Sequence, residues 1–214
     1  EDEQKDSLRI HLNGGINKCN IMTMNMREGE EVWPDIKSII HCINLHGDNL
    51  VGAEIGVHLG QSFLTLLQTC PNISKLYGVD PYVPYVDYLK EDGQSYDPMV
   101  VDEKEIEYIK LVSYHNQKFS GHKDKIVFYE MDGNAASKKV KDKSLDFIFI
   151  DSYCSFEQAK NDIKVWYPKV KDGGIFAGHD WNMPLVRLAV TKFRENENIK
   201  SRMSTYDDTW IWYK

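Results

Sequence analysis

The sequence predicts an α/β fold in which helices cover both faces of a mostly parallel sheet. Stretches typical of strands and of helices alternate along most of the 214 residues. The strand stretches are apolar throughout, which is typical of parallel strands that are buried on both faces. Ligands of such sheets bind at the carboxyl ends of the strands. Residues that directly follow a strand are therefore the candidates for function.

The predicted elements follow one another at short intervals. A first helix lies within residues 33–47, where isoleucines recur at helical spacing. Further helices are expected at 61–69, around 101–118, at 134–140, at 155–167 and at about 184–195. Strands are expected at 50–55, 75–79, 125–131, 145–150 and 173–178, and a last β-rich strand at 209–214. The helix at 155 opens with a capping box formed by Ser155 and Gln158, and Pro168 ends it.

Composition and charge favour a globular domain that works in water. The net charge of −7 argues against general affinity for nucleic acid or for an anionic membrane. No apolar run approaches the roughly 18 residues that a membrane-spanning helix needs, and no signal peptide is visible. The widely spaced cysteines are expected to be free thiols in a reducing compartment, so the expected location is the cytoplasm. They are Cys19, Cys42, Cys70 and Cys154.

The first candidate site is the glycine-containing stretch VGAEIGVHLGQS at residues 51–62. Glu54, Gly56 and Gly60 give the pattern E-x-G-x-x-x-G, whereas a dinucleotide site needs G-x-G-x-x-G. A carboxylate at position 54 would repel a pyrophosphate, and it suits a ligand that carries a sulfonium or an amine. The loop therefore favours a cationic nucleoside ligand over NAD.

A second acid supports this interpretation. Asp80 follows the second strand about 20 residues after the loop, where an acid can accept hydrogen bonds from ribose hydroxyls. S-adenosylmethionine (SAM) has an adenosine and a sulfonium but no phosphate, so it fits both acids better than NAD does. The alternative stays open that the glycines only form a tight turn and that Asp80 is a solvated strand end.

With these motifs, residues from about 34 to the end resemble the class I SAM-dependent methyltransferases. More narrowly, they are similar to the small O-methyltransferases of the catechol and macrocin type, and to bacterial and viral relatives that read DFIFID…GG…GHDW. The resemblance implies a Rossmann-like three-layer sandwich, with a mostly parallel seven-stranded sheet and an antiparallel C-terminal strand. It implies a methyltransferase domain at 34–214, preceded by an N-terminal segment at 1–33 that closes over the cofactor through Met24–Met26.

The resemblance also assigns cofactor-binding residues. In that family the glycine loop binds the methionine part of SAM, and a hydroxyl holds its carboxylate. The acid after the second strand binds the ribose, and the turn after the next strand flanks the adenine. In this sequence the corresponding residues are Glu54, Gly56, Gly60 and Ser62 for the methionine part, Asp80 for the ribose, and Asp132, Gly133 and Asn134 for the adenine.

A second group of polar residues lies at two further strand ends. Asp151 follows the strand LDFIFI, and His179 and Asp180 follow GGIFAG. Carboxylates that lie so close together repel each other, and a bound cation relieves the repulsion. In the related enzymes this is the site of a divalent ion, commonly Mg²⁺, which lowers the pKa of the substrate hydroxyl. The imidazole matches the GHD relatives and favours Mn²⁺, Fe²⁺ or Zn²⁺. Alternatively, Asp180 caps the next segment and His179 bonds a neighbouring loop.

The stretch IDSYCSFE departs from the relatives, which read IDGDHSYE or carry a lysine as general base at the fourth position. Here Ser152, Tyr153 and Cys154 take those places. Cys154 precedes a helix N-terminus, whose dipole can lower the pKa of a thiol, so it is a candidate base. Tyr153 is a candidate for positioning the substrate. Cys154 as a small buried filler remains the alternative.

An aromatic-rich insertion follows Asp80 and is expected to act as a lid or a ring-stacking wall. Its tyrosines are Tyr82, Tyr85, Tyr88 and Tyr96. Trp181 is a further candidate for the pocket wall.

The sequence thus predicts SAM-dependent methyl transfer to a hydroxyl of a small molecule or sugar, assisted by a divalent metal such as Mg²⁺ or Mn²⁺. Asp151, Tyr153 and Cys154 are the predicted catalytic residues, and Asp151, His179 and Asp180 the predicted metal ligands. A metal-independent N-methyltransferase and a non-catalytic SAM-binding protein are the alternatives, and an NAD enzyme ranks third. No nucleic-acid or membrane partner is expected, and a homodimer is left open.

Overall fold

The structure, a computed structural model, describes residues 36–87, 99–206 and 208–214. The predicted N-terminal segment 1–33 with Met24–Met26, and the tyrosines Tyr88 and Tyr96, lie outside the described residues. Among the described residues, no helix is long and apolar enough to cross a membrane.

Alternating strands and helices form the predicted α/β sandwich. The strands are β1 Leu50–Ile55, β2 Ile73–Val79, β3 Tyr85–Asp87, β4 Met99–Val101, β5 Ile126–Tyr129, β6 Leu145–Ile150, β7 Val170–Gly178, β8 Met203–Tyr206 and β9 Thr209–Tyr213. The helices are α1 Lys37–Leu45, α2 Gln61–Thr69, α3 Glu103–Phe119, α4 Gly133–Ser137, α5 Phe156–Trp166 and α6 Pro184–Asn196.

Seven of these strands form one sheet in the order β5-β2-β1-β6-β7-β9-β8. The strands from β5 to β7 are parallel, β9 runs antiparallel to β7, and β8 runs antiparallel to β9. The predicted fold class, with an antiparallel C-terminal strand, is confirmed. The order also places the carboxyl ends of β2, β1, β6 and β7 side by side, so the residues that follow these strands meet at one edge.

The strands are apolar throughout because both of their faces are covered. On β6, Phe147 and Phe149 face one helical layer while Ile148 and Ile150 face the other. The first layer contains α1 and α2, whose core residues are Ile39, Ile43, Phe63, Leu64, Leu66 and Leu67. The second contains α4, α5 and α6, whose core residues include Ala136, Ala159, Ile163, Trp166, Ala189 and Val190. The strand pattern in the sequence thus reflects burial from two sides.

Several strands differ from the sequence prediction. Strand β8 was not predicted, because its residues Met203–Tyr206 are mostly exposed and have no apolar run; pairing with β9 defines it. Strands β2 and β7 begin earlier than expected, at Ile73 and Val170, because in each strand exposed residues separate the buried first residue from the apolar run that predicted it. The aromatic insertion contains a short antiparallel pair, β3 and β4.

The predicted capping box of α5 forms only in part. The Ser155 hydroxyl accepts a hydrogen bond from the backbone N–H of Gln158 at 3.2 Å. The Gln158 side chain does not return to Ser155; its amide donates to Asp162 at 2.9 Å. This side chain is therefore held by the buried face of the helix and not by its end.

Gly178 ends β7 at a place with no room for a side chain. A Cβ there would lie 2.2 Å from the ring of Trp210 and 2.6 Å from the carbonyl oxygen of Ile150. Gly178→Ala is therefore expected to lower the free energy of unfolding by about 1–3 kcal/mol, measured by denaturant titration. Ser204→Ala, on exposed strand β8, is the control, with an expected change below about 0.5 kcal/mol. Equal losses in the two variants would contradict tight β7–β9 packing.

Candidate active site

A cavity of about 870 Å³ lies at the carboxyl edge of the sheet. Its wall consists mainly of the residues that follow β1, β2, β5 and β6, and Asp180 after β7 completes it. Helix α5 contributes Gln158 and Asp162 from one side, and α3 contributes Ile106. The position agrees with the general rule that ligands of open α/β sheets bind outside the strand ends.

The loop after β1 must contain glycine at position 56. Gly56 has φ of +88°, and a Cβ there would lie 2.1 Å from the backbone oxygen of Asp151. Its N–H donates to the carbonyl of Val79 at 2.8 Å. Gly60, with φ of +84°, begins α2 in the left-handed conformation. Both predicted glycines are therefore needed for the turn itself, which brings the loop against the ends of β2 and β6.

Glu54 is fully buried beneath this loop and does not line the cavity. One of its oxygens accepts the Ser62 hydroxyl at 2.5 Å, and the other has no hydrogen bond within the described residues. Burial raises the pKa of Glu54 well above its usual value, and the charges of Asp151 and Asp80 add to the rise. Ser62, which lines the cavity, is the group through which Glu54 would influence a ligand.

Asp80 lines the cavity and holds the glycine loop in place. One carboxylate oxygen accepts the backbone N–H groups of Val57 at 3.0 Å and His58 at 2.8 Å. The other accepts the N–H of Tyr82 at 2.8 Å. Each oxygen can accept more than one hydrogen bond. Asp80 therefore orders the loop and keeps acceptor capacity for a ligand hydroxyl.

The turn after β5 forms the next part of the wall. Asp132 and Gly133 line the cavity, and Asp132 caps α4 by accepting the N–H of Ala135 at 2.9 Å. A Cβ on Gly133 would lie 2.7 Å from an oxygen of Asp162, so helix α5 packs directly against this turn. Asn134, predicted as the third residue of the group, is exposed and outside the cavity wall.

Asp151, His179 and Asp180 come together as predicted, because β6 and β7 are neighbours. Nδ1 of His179 lies 3.5 Å from Asp151 and 3.2 Å from Asp180, and one candidate ligand atom from each of the three residues lies within 4.8 Å of the others. Two carboxylate oxygens and an imidazole nitrogen, all on one side, fit a divalent ion that keeps open positions for substrate.

The charges of this cluster partly balance one another. Burial alone would lower the pKa of His179, but the hydrogen bond to Asp180 and the charges of Asp151, Asp180 and Asp208 raise it to about 9. Burial alone would raise the pKa of Asp180, but His179 and the thiol of Cys154 hold it below its usual value. The imidazole therefore stabilises the two carboxylates in the metal-free protein.

The predicted catalytic residues beside the cluster all line the cavity. The Cys154 thiol donates to Asp180 at 2.8 Å, so it is a hydrogen-bond donor here. The Tyr153 ring lies 6.2 Å from that of Tyr85 at an angle of 60°, which forms an aromatic corner of the wall. The catalytic roles of Cys154 and Tyr153 stay predictions.

The aromatic residues around the cavity differ in their roles. Tyr82 lines the cavity but is buried, and its hydroxyl donates to Ser113 at 2.7 Å. Trp181 is not part of this wall: its backbone N–H bonds Asp208 at 3.0 Å, and its ring packs against the core on the α5–α6 side. The prediction that Trp181 forms a pocket wall is therefore not supported, because the turn after Asp180 directs it away.

Two polar cavity residues on α5, Asp162 and Gln158, were not assigned to the site from the sequence. Asp162 is fully buried, and one of its oxygens accepts the Ser152 hydroxyl at 2.6 Å and the Gln158 amide at 2.9 Å. Burial raises the pKa of Asp162, an effect that the Ser152 and Gln158 hydrogen bonds reduce. The signal was present: an acid lies at the edge of the apolar face that Ala159, Ile163 and Trp166 form on a predicted helix.

A family model described as a methyltransferase domain matches residues 53–181. The chain belongs to this methyltransferase family. The matched region runs from the glycine loop to the residue after Asp180, so it includes the cavity-lining residues after β1, β2, β5 and β6. Membership implies SAM as the methyl donor. A search of curated proteins gives no match.

Solved structures share the methyltransferase fold at low identity. The precorrin 8w decarboxylase of Methanobacterium thermoautotrophicum aligns over 84% of this chain and 89% of its own, with 14% identity and a TM-score of 0.56. The O-methyltransferase NovP aligns over 84% and 78%, with 19% identity and a TM-score of 0.53. A TDP-rhamnose 3'-O-methyltransferase of calicheamicin biosynthesis aligns over 82% and 76%, with 14% identity and a TM-score of 0.52. These similarities concern the fold.

The pKa of His179 tests the charge balance of the cluster. In protein freed of divalent ions with EDTA, Asp180→Asn removes a carboxylate that raises this pKa, so the pKa is expected to fall from about 9 toward its usual value. The chemical shifts of the imidazole protons, followed by NMR against pH, give the pKa. The exposed Asp142→Asn should leave it unchanged. An unaltered pKa in Asp180→Asn would show that the carboxylate and the imidazole are not in contact.

The same shift gives a sign for the dependence of stability on pH. Because the pKa is raised by folding, the contribution is fully present below the pKa of an unfolded histidine, about 6.5. It is lost as the pH rises through about 9. The metal-free wild type should therefore lose more stability over this range than Asp180→Asn does.

Proposed function

We propose that the protein transfers the methyl group of SAM to a hydroxyl of a small molecule or sugar, with a divalent metal bound beside the acceptor. The observation that carries the proposal is the shared cavity: Asp80 and the glycine loop form one part of its wall, and Asp151 and Asp180 form another. A methyl donor and an acceptor hydroxyl must lie in line within one site for the transfer to occur.

The wall suggests how the cofactor lies. The glycine loop with Ser62 is proposed to hold the methionine part, since its backbone is free of side chains at Gly56. Asp80 is proposed to accept hydrogen bonds from the ribose hydroxyls, and Asp132 and Gly133 to flank the adenine. In this orientation the sulfonium lies near Asp151, whose carboxylate favours a positive charge.

The acceptor is proposed to occupy the part of the cavity between Asp180 and the aromatic corner of Tyr85 and Tyr153. Tyrosine faces stack equally well on aromatic and on sugar rings. Asp151, Nδ1 of His179 and Asp180 would hold the divalent ion, which when bound lowers the pKa of the acceptor hydroxyl. The similarity in fold to O-methyltransferases supports oxygen as the methylated atom.

The chemical step needs little from the protein beyond alignment. A lone pair of the acceptor oxygen attacks the methyl carbon while the carbon–sulfur bond breaks, and its electrons return to sulfur to give S-adenosylhomocysteine. The hydroxyl proton leaves to a nearby base. The Cys154 thiol donates its proton to Asp180 in a hydrogen bond, so it would act as that base only as a thiolate.

Methyl transfer without a metal is the second candidate. It is favoured by the contacts of His179 with Asp151 and Asp180, because the imidazole can balance the charge of the two carboxylates in place of a metal ion. The lysine or histidine that relatives carry after the strand is also replaced here by Cys154.

Transfer of label from methyl-labelled SAM into small-molecule extracts tests the proposal. Wild-type protein should label a small molecule, and EDTA should reduce the rate at least about tenfold until Mg²⁺ or Mn²⁺ is restored, because metal ligation orients the acceptor. Asp151→Ala should lose activity to a similar extent, while Asp142→Ala, an exposed carboxylate, should not. Full activity in EDTA and in Asp151→Ala would favour the metal-independent mechanism, and an absence of both transfer and cofactor binding would contradict methyl transfer.

A further inference from the structure

The side chain of Gln158 is held in one orientation by a buried acid. Its amide nitrogen donates to an oxygen of Asp162 at 2.9 Å. The same oxygen accepts the Ser152 hydroxyl at 2.6 Å, so Asp162 acts as a hydrogen-bond acceptor toward both side chains. The amide of Gln158 must therefore turn its nitrogen toward Asp162 and its oxygen, Oε1, the other way.

The position of Asp162 makes this orientation rigid. Asp162 is fully buried, and its second oxygen packs against Gly133, where a Cβ would lie only 2.7 Å away. The hydrogen bonds from Ser152 and Gln158 hold the carboxylate in this buried position. Gln158 lies one helical turn before Asp162 on α5, and its hydrogen bond to Asp162 holds its side chain in place.

The oxygen of the Gln158 amide is available to a ligand. Within the described part of the chain nothing donates a hydrogen bond to Oε1, and this oxygen is not among the buried unpaired atoms. Gln158 lines the cavity together with Asp132, Gly133 and Asp162. An accessible hydrogen-bond acceptor therefore lies on a side chain that lines the cavity next to the turn after β5.

We propose that Oε1 of Gln158 accepts a hydrogen bond from the exocyclic amine of the cofactor's purine, and that Asp162 is the positioning residue that fixes the amide. The inference rests on the proposed SAM cofactor. If the ribose binds Asp80 after β2, the base extends toward the turn after β5, the strand next to β2 in the sheet. Adenine presents an N–H donor at this edge, whereas a 6-oxo purine presents an acceptor, which leaves two acceptors facing each other. The site therefore selects a 6-amino purine.

Two isosteric probes test the selection: S-adenosylhomocysteine and its deaminated analogue S-inosylhomocysteine, which differ only at the purine edge. Titration calorimetry of the wild type should show the adenosyl compound binding about tenfold or more tightly, the cost of an unpaired polar group in a site. Gln158→Leu should weaken binding of the adenosyl compound and bring the affinity ratio near one.

Asp162→Asn separates positioning from direct contact. The asparagine keeps the shape but can donate to Gln158, so the amide is free to turn its nitrogen to the cavity, and the ratio should again fall. Gln61→Leu is the matched control, because Gln61 also lines the cavity but belongs to the glycine-loop side. Its ratio should remain that of the wild type.

The outcomes distinguish this inference from the proposed function. If the wild type binds neither compound, the SAM site itself is wrong, and the inference fails with it. If the wild type binds the adenosyl compound but accepts both equally, or if Gln158→Leu weakens both by the same factor, the cofactor site stands and the role of Gln158 in reading the base is refuted.

Discussion

The contact between the Gly56 loop and the backbone of Asp151 is the constraint on which the site depends. The N–H of Gly56 bonds the carbonyl of Val79 and the N–H of Asp151 bonds that of Ile55, both at 2.8 Å, so the ladder continues past the strand ends. A Cβ at position 56 would lie 2.1 Å from the oxygen of Asp151. Three loops therefore meet without an intervening side chain, and the predicted cofactor loop lies directly beside the predicted metal cluster.

The carboxylates around this contact serve structure as well as chemistry. Asp80 accepts three backbone N–H groups and so fixes the loop whose shape a ligand would meet. Asp162 likewise accepts hydrogen bonds from Ser152 and Gln158, which also line the cavity. Because hydrogen bonds to charged acceptors are stronger than neutral ones, such acids preorganise a polar cavity before a ligand arrives. Both carboxylates thus already accept hydrogen bonds from the protein, and these bonds fix the shape of the cavity wall.

The sequence was most informative where burial is uniform. Strand β6 and helix α2 were predicted with their observed bounds, since LDFIFI is apolar on both faces and Gly60 and Cys70 delimit the helix. The convergence of Asp151, His179 and Asp180 was predicted on the condition that the fold implied by the family resemblance is right, and the pairing of β6 with β7 brings the three together. Strand β8 could not be predicted, because its partner and not its own composition makes it a strand.

The sequence signals a buried acid at Asp162, but the place of Asp162 and Gln158 in the cavity wall depends on packing that a single sequence does not contain. Asp162 and Gln158 are four residues apart on one helix, but only the packing of α5 against Gly133 makes their face a cavity wall. The direction of the turn after Asp180 likewise decided that Trp181 packs on the core and leaves the cavity wall to Tyr85 and Tyr153.

The most direct test of the central claim is a crystal structure of the protein with S-adenosylhomocysteine. The ligand is expected in the cavity at the carboxyl edge of the sheet, with the ribose hydroxyls within hydrogen-bond distance of Asp80, the sulfur nearest Asp151 and the purine against Gly133. A ligand bound elsewhere, or one in the cavity with its ribose remote from Asp80, would contradict the central claim.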